Sequence, residues 1–139
     1  MKYRKFGGVF LIRLMKGEEV IKSLTDFSAK NKISLASFSG IGAVQKAEIG
    51  FYELKNKKYL WKKINEEMEV LSIIGNVSSL DKKPFIHAHI VLADRNFRAY
   101  GGHLKEAVVG ATLEIVLLKV KGKVERKFDE EIGLNLMDL

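Results

Sequence analysis

The spacing of apolar residues changes from strand-like to helical near the N-terminus of this chain. Residues 7–14 form an apolar run of the kind found in β-strands. After a short turn, Val20, Leu24 and Phe27 occupy the i, i+4 and i+7 positions of an amphipathic helix. We expect this helix to end near Asn31, because the flanking lysines suit the negative end of the helix dipole and asparagine can adopt a left-handed cap.

Beyond Ile33 the pattern is that of a β-sheet. Ala47, Ile49 and Phe51 alternate with Glu, Gly and Tyr, as in a strand with two different faces. Four further strands are predicted, each rich in large apolar residues, at residues 59–64, 68–77, 85–93 and 113–120. Six or seven strands and one main helix predict an α+β fold, a single domain over residues 1–139 with a mostly antiparallel sheet.

The composition agrees with one domain that folds without covalent crosslinks. The chain has 139 residues, and 47% of them are hydrophobic, which is enough for a core. It contains no cysteine, so disulfides, thiolate catalysis and cysteine-ligated metals are excluded, and a metal would need His, Asp, Glu or water. No apolar segment resembles a signal peptide or approaches the roughly 20 residues of a membrane span. We therefore expect a cytoplasmic protein with no membrane partner.

The net charge of +7 can attract nucleic acid or other acidic surfaces. Residues 55–63 and 119–127 are especially basic and could bind phosphates, while Tyr59 and Trp61 could stack on bases. The alternative is a charged hairpin whose aromatic side chains pack on the sheet, because Tyr59 and Trp61 share one strand face. The sequence leaves both interpretations open.

The three histidines of the chain lie in one short stretch. His87 and His89 are two residues apart in a predicted strand, so both side chains emerge on the same face and their neighbours point into the core. His103 follows a predicted turn at residues 94–96 and two glycines, which permit a sharp turn or a close backbone approach. This hairpin should bring all three together in one polar site at the end of the sheet.

Three neutral imidazoles that leave a fourth position open are a common ligand set for catalytic zinc. We therefore consider His87, His89 and His103 to be candidate zinc ligands. The same residues could instead form a metal-free polar cluster that stabilises a subunit interface or binds an anion. Both interpretations predict the same clustering of side chains.

Glu114 is the candidate catalytic residue. It lies within an apolar strand, where a carboxylate needs a partner to offset desolvation. It could act as a general base or orient a metal-ligating histidine. The alternative is an ion pair with a Lys or Arg on an adjacent strand.

These motifs, taken in order, resemble the plants and prokaryotes conserved (PPC) domain family. The matching segments span nearly the whole chain and include Ser-Gly-Ile-Gly-Ala-Val at 39–44, residues 69–76, His-Ala-His at 87–89, Gly-Gly-His-Leu at 101–104 and Thr-Leu-Glu-Ile at 112–115. The resemblance implies an α+β domain that assembles as a homotrimer. It also implies that His87, His89 and His103 cluster, as in prokaryotic members where they look like a zinc site.

The resemblance leads to competing hypotheses for function. Family members are often described as predicted DNA-binding proteins, and plant members are nuclear regulators of transcription that carry an Arg-Gly-Arg-Pro AT-hook, a sequence this chain lacks. A trimeric DNA-binding or regulatory module is the first hypothesis. The fold is also similar to that of acetolactate decarboxylase, which holds zinc with three histidines, so a zinc-dependent hydrolase or lyase acting on a small molecule is the second. A trimeric scaffold with metal-free histidines is the third.

Overall fold

A computed structural model describes residues 1–139 as one α-helix and nine β-strands. The helix, α1, is Val20–Lys30. The strands in chain order are Lys2–Phe6 (β1), Val9–Met15 (β2), Ala36–Glu53 (β3), Lys58–Ile64 (β4), Met68–Leu80 (β5), Lys83–Ala93 (β6), Ala99–Lys119 (β7), Arg126–Asp129 (β8) and Leu134–Met137 (β9). The helix has 11 residues, and the structure contains no helix with the length and hydrophobicity that a membrane span requires.

Seven strands form one antiparallel sheet in the order β1-β2-β7-β6-β5-β3-β4. The long strand β7 pairs with β6 near its start and with β3 along most of its remaining length. Because β3 also pairs with β5, and β5 with β6, these four strands close on themselves as a small barrel. The predicted α+β fold with a mostly antiparallel sheet is confirmed.

The interior of the barrel and the apolar stripe of α1 form one hydrophobic core of 27 buried residues. Val20, Leu24 and Phe27 are all buried, which confirms the helix predicted from their spacing. Glu19 caps the start of the helix, because its carboxylate accepts hydrogen bonds from the amide N–H groups of Ile21 and Lys22. Burial of this stripe against the sheet stabilises a helix that would be marginal in isolation.

The end of α1 differs in detail from the prediction. Asn31 has a φ of −94° and is therefore not left-handed. Its side chain instead donates a hydrogen bond to the carbonyl of Phe27, and the left-handed residue is Lys32, with a φ of 50°. The asparagine caps the helix through its amide, so the chain reverses one residue later.

Two further differences concern strands. Residues 7–14 are not one strand, because a turn at Gly7 and Gly8 separates β2 from the edge strand β1. Strand β1, which is exposed along its whole length, was not predicted from the sequence. The small β8–β9 hairpin was not predicted, since residues 119–127 were recognised only as basic. The hairpin packs against β5.

The outward-facing residues of the barrel form a continuous row of register partners. The row begins on β4 and ends on β2, and it crosses β3 and β7 twice because these strands are long. Its members in order are Trp61 (β4), Gly50 (β3), His103 (β7), His89 (β6), Ile74 (β5), Ser39 (β3), Val116 (β7) and Leu11 (β2). Directly paired residues in antiparallel strands share a face. We call this surface the outer face, and it carries the candidate site.

Candidate metal centre

The three histidines lie together on the outer face. His87 and His89 alternate with Ala88, which is 1% exposed and points into the core. His103 pairs in register with His89 across β6 and β7. The predicted convergence is therefore confirmed, but its location is different. The histidines lie within the strands on the face of the sheet rather than at its end.

The ligand atoms of the three imidazoles are close enough to hold one metal ion. One nitrogen from each ring can be chosen so that all three lie within 4.8 Å of one another. The ring centroids are 5.3 Å apart for His87 and His89, 5.2 Å for His87 and His103, and 5.6 Å for His89 and His103. His89 is exposed and the other two are partly buried, so the cluster opens toward solvent.

Glycine at position 102 allows His103 to reach this position. A Cβ at Gly102 would lie 2.7 Å from the backbone oxygen of Gly50 on β3, closer than side chains tolerate. Strand β7 therefore lies very close to β3 just before the histidine. The predicted use of the glycine pair for a close backbone approach is confirmed at Gly102.

The environment keeps two of the rings neutral. Burial, followed by the nearby imidazoles of His87 and His89, lowers the pKa of His103 to about 4. Burial, followed by the positive charge of Arg126, lowers the pKa of His87. The Nδ1 atom of His103 is buried and has no hydrogen-bond partner. Neutral imidazole with a free lone pair is the form that binds zinc, so these residues fit such an ion.

Aromatic side chains of β4 border the histidine cluster on one side. The Tyr59 ring lies 4.9 Å from the His103 ring and 4.6 Å from the ring of Trp61, on which it stacks. Burial raises the pKa of Tyr59, so its hydroxyl stays protonated at neutral pH. Tyr59 and Trp61 pack against each other and on the sheet, as in the charged-hairpin alternative of the sequence analysis. They form a wall beside the site.

Glu114 lies on the outer face but away from the histidines. It is exposed, pairs in register with Arg13 and Ile41, and lines an open trough of about 970 Å³. Its segment of β7 is separated from β6 by β3 and β5, roughly 14 Å along the sheet. The expected desolvation of Glu114 is absent, since the carboxylate is in solvent. Its catalytic role stays a prediction.

Two polar residues beside the cluster were missed by the sequence analysis. Asn76 pairs in register with His87, and the Arg126 guanidinium donates a hydrogen bond to the Asn76 amide oxygen. Asn76 alternates with apolar residues of β5, a signal that it faces outward with the histidines. No local signal could have placed Arg126, because its contact spans 50 positions of the chain.

Comparison with known proteins identifies the family of this chain. The model of the Plants and Prokaryotes Conserved (PCC) domain matches residues 1–121. The chain belongs to this family. The resemblance noted in the sequence, under the abbreviation PPC, is therefore confirmed, and the motifs that carry it include all three histidines of the site.

Solved structures of similar length share the PPC fold. A metal-containing protein from Archaeoglobus fulgidus is 39% identical, with 100% of both chains covered and a TM-score of 0.90. A PPC protein from Pyrococcus horikoshii is 35% identical, with 99% of this chain and 95% of that chain covered and a TM-score of 0.91. A "putative DNA binding protein" from Bacteroides thetaiotaomicron is 29% identical, with 99% and 96% covered and a TM-score of 0.95.

Two further matches are to proteins that are longer than this chain. Acetolactate decarboxylase from Bacillus subtilis is 11% identical, with 87% of this chain and 57% of that chain covered and a TM-score of 0.56, so it shares the fold alone. The bifunctional protein GlmU from a Synechococcus strain is 28% identical over 112 residues. This match spans 78% of the present chain and 17% of the length of that protein.

Proposed function

We propose that this PPC-domain chain is a cytoplasmic homotrimer that binds zinc through His87, His89 and His103 and serves as a DNA-binding or regulatory module. The observation that carries the zinc assignment is the approach of three imidazole nitrogens to within 4.8 Å of one another. The relation to a metal-containing protein of the same length supports it.

The donor set is one that zinc commonly uses. All three donors are imidazoles, which suit zinc and other late transition metals better than calcium or magnesium. The unpartnered Nδ1 of His103 and the low pKa values of His87 and His103 provide neutral donors. Zinc held there would act as a Lewis acid with one open position.

Metal analysis tests the zinc assignment. Protein purified without a histidine tag, stripped with a chelator and then titrated with zinc, should bind one ion per chain. His103→Ala should weaken zinc binding by at least about 100-fold, since removal of even an outer partner of a metal ligand costs up to that much. Asn96→Ala, in the exposed turn of the same hairpin, should bind zinc like the wild type. Equal zinc binding by wild type and His103→Ala would disprove the assignment.

The exposed apolar residues of the outer face support self-association, and the number of three chains comes from the family resemblance. Ile74 is 62% exposed, and further large apolar side chains of this face are also open to solvent, namely Leu11, Ile41, Val91, Val116 and Leu118. Contiguous exposed apolar surface of this kind is typical of protein interfaces. Because the histidines lie on the same face, association of three chains through it would place the metal centre beside a subunit interface.

The DNA-binding part of the proposal rests on charge and on relatives. The net charge is +7, and the edge strand β4 with its preceding turn carries exposed lysines, among them Lys55, Lys58 and Lys63. Two similar structures are named as DNA-binding, including the Bacteroides thetaiotaomicron protein. Lysines on an exposed edge can reach the phosphates of a duplex without displacing any part of the fold.

Salt dependence tests DNA binding. The logarithm of the duplex binding constant should fall linearly with the logarithm of the salt concentration. The slope should be about −0.9 for each phosphate contact. Replacing Lys55, Lys58 and Lys63 by alanine should lower that slope by up to about 2.7. The matched control removes three other exposed lysines, Lys16, Lys30 and Lys82, and should retain the slope. Absence of binding at low salt and micromolar protein would remove DNA from the proposal.

A zinc-dependent hydrolase or lyase acting on a small molecule is the second candidate. It is favoured by the exposure of His89, which leaves the open position of the centre accessible. Glu114 could serve as its base only from a neighbouring chain, because β3 and β5 separate it from the histidines of its own chain. Zinc-dependent hydrolysis of p-nitrophenyl acetate, lost in both His103→Ala and Glu114→Gln, would support the hydrolase. Hydrolysis unaffected by either variant would count against it.

A further inference from the structure

Arg126 is a buried cation without an acidic partner. It is 9% exposed, and its three hydrogen bonds all reach neutral acceptors: Nε to Ser78 Oγ at 2.7 Å, Nη1 to the Asn135 carbonyl at 2.8 Å and Nη2 to Asn76 Oδ1 at 3.1 Å. Its guanidinium lies 4.8 Å from the centre of the Phe85 ring. Buried charges are normally paired, because removing a charge from water is costly.

Two acidic residues near Arg126, one beside it in the chain and one just after its hairpin, pair with lysines instead. Glu125 forms an ion pair with Lys123, and Asp138 forms one with Lys127. The guanidinium has five N–H donors, of which the three hydrogen bonds use three. Two of its N–H donors and its positive charge therefore have no matching acidic partner among these contacts.

Arg126 lies beside the histidine cluster. Phe85, on which the guanidinium is stacked, precedes His87 by two residues in β6, so both side chains lie on the outer face about 7 Å apart. Asn76, which accepts a hydrogen bond from Nη2, is the register partner of His87. The guanidinium is thus next to the proposed zinc ligands.

We propose that Arg126 binds the oxyanion group of a small ligand whose other end reaches His87, His89 and His103. The ligand class is a small carboxylate or phosphate. Arginine matches both groups with paired N–H donors. This inference rests on the proposed zinc site, because zinc on three neutral imidazoles adds positive charge that favours an anionic ligand.

The amide of Asn76 allows a test that preserves the packing around Arg126. Asn76→Asp places a carboxylate oxygen where the amide oxygen now lies, 3.1 Å from Nη2, and so gives the guanidinium an internal counter-ion. The variant should weaken anion binding at least tenfold while the hairpin stays anchored. Asn65→Asp is the matched control, because it makes the same change at an exposed residue of the β4–β5 turn.

Calorimetric titration with succinate and with inorganic phosphate, on zinc-loaded and metal-free protein, provides the measurement. We expect one of the two anions to bind the zinc-loaded wild type and the Asn65→Asp variant equally, and Asn76→Asp at least tenfold more weakly. A stronger response to succinate identifies a carboxylate ligand, and a stronger response to phosphate identifies a phosphate. If Asn76→Asp does not fold, Arg126→Lys, which keeps the charge but loses the paired donors, should show the same weakening.

Two results would overturn the inference: no binding of either anion to the zinc-loaded wild type, or equal binding by wild type and Asn76→Asp. Both leave the zinc proposal intact, because zinc titration of the same samples measures it separately. If the wild type fails to bind zinc, the zinc proposal is wrong, and the metal-free titrations still decide whether an anion binds at Arg126.

Discussion

His89 and His103 face each other directly across the antiparallel pairing of β6 and β7, with their ring centroids 5.6 Å apart. His87 joins them because strand alternation places it on the same side of β6 as His89. The site is therefore supported by backbone hydrogen bonds between two strands of the barrel rather than by a loop. Ligands held by rigid strands stay in place in the absence of a metal.

Zinc should stabilise the fold through this preformed site. A ligand that binds only the folded state adds about 2.7 kcal/mol at 100 times its dissociation constant. We expect urea unfolding of the wild type to shift by about this amount with zinc and to return to its starting value with a chelator. His89→Ala should show no zinc-dependent shift. An equal shift in the variant would mean that zinc binds elsewhere.

Acid should destabilise the metal-free protein over a defined range. The pKa of His103 is about 4 in the folded protein against an ordinary value of 6.5, so the unfolded chain binds more protons between these values. The free energy of unfolding should therefore fall as pH falls from about 6.5 to about 4, and the histidine contribution should level off below that.

Proton NMR checks this directly, because the chain has only three histidines to observe. The His103 ring signals of metal-free protein should titrate near pH 4. Replacing His103 with phenylalanine should reduce the pH dependence of unfolding between pH 6.5 and 4. A His103 titration near its ordinary value would show that the ring is more solvated than its burial indicates.

The two adjacent glycines before His103 should respond differently to alanine. A Cβ at position 102 would lie 2.7 Å from the backbone oxygen of Gly50, whereas one at position 101 would lie 3.3 Å from the nearest atom, the Ile90 oxygen. Gly102→Ala should cost about 1–3 kcal/mol of unfolding free energy, as overpacking typically does. Gly101→Ala should cost less. Denaturant unfolding of both variants measures the difference, and a larger loss at position 101 would contradict it.

Charge on the outer face should dissociate the proposed trimer. Ile74→Asp places a carboxylate on an apolar surface that association would bury, so the variant should be monomeric by light scattering while its circular dichroism is unchanged. Phe97→Asp is the control, because Phe97 is 92% exposed in the turn between β6 and β7. A trimer that persists with Ile74→Asp would place the interface on another surface.

Local periodicity in the sequence determined the features that depend on one element. The spacing of Val20, Leu24 and Phe27 predicted α1, and the two-residue repeat of β6 put His87 and His89 on one face. These predictions succeed because side-chain direction in a helix or strand follows from the backbone period alone. The hairpin return to His103 was also predictable, since its loop is short and its glycines are visible in the sequence.

The tertiary structure decided the features that depend on distant partners. Strand β7 closes the barrel by pairing with both β3 and β6, Glu114 is held apart from the histidines, and Arg126 reaches Asn76 across 50 positions. Periodicity fixes which face a residue occupies but not which strand lies beside it. That choice depends on how the whole chain buries its apolar surface at once, and it determines whether a charge such as that of Arg126 lies next to the site.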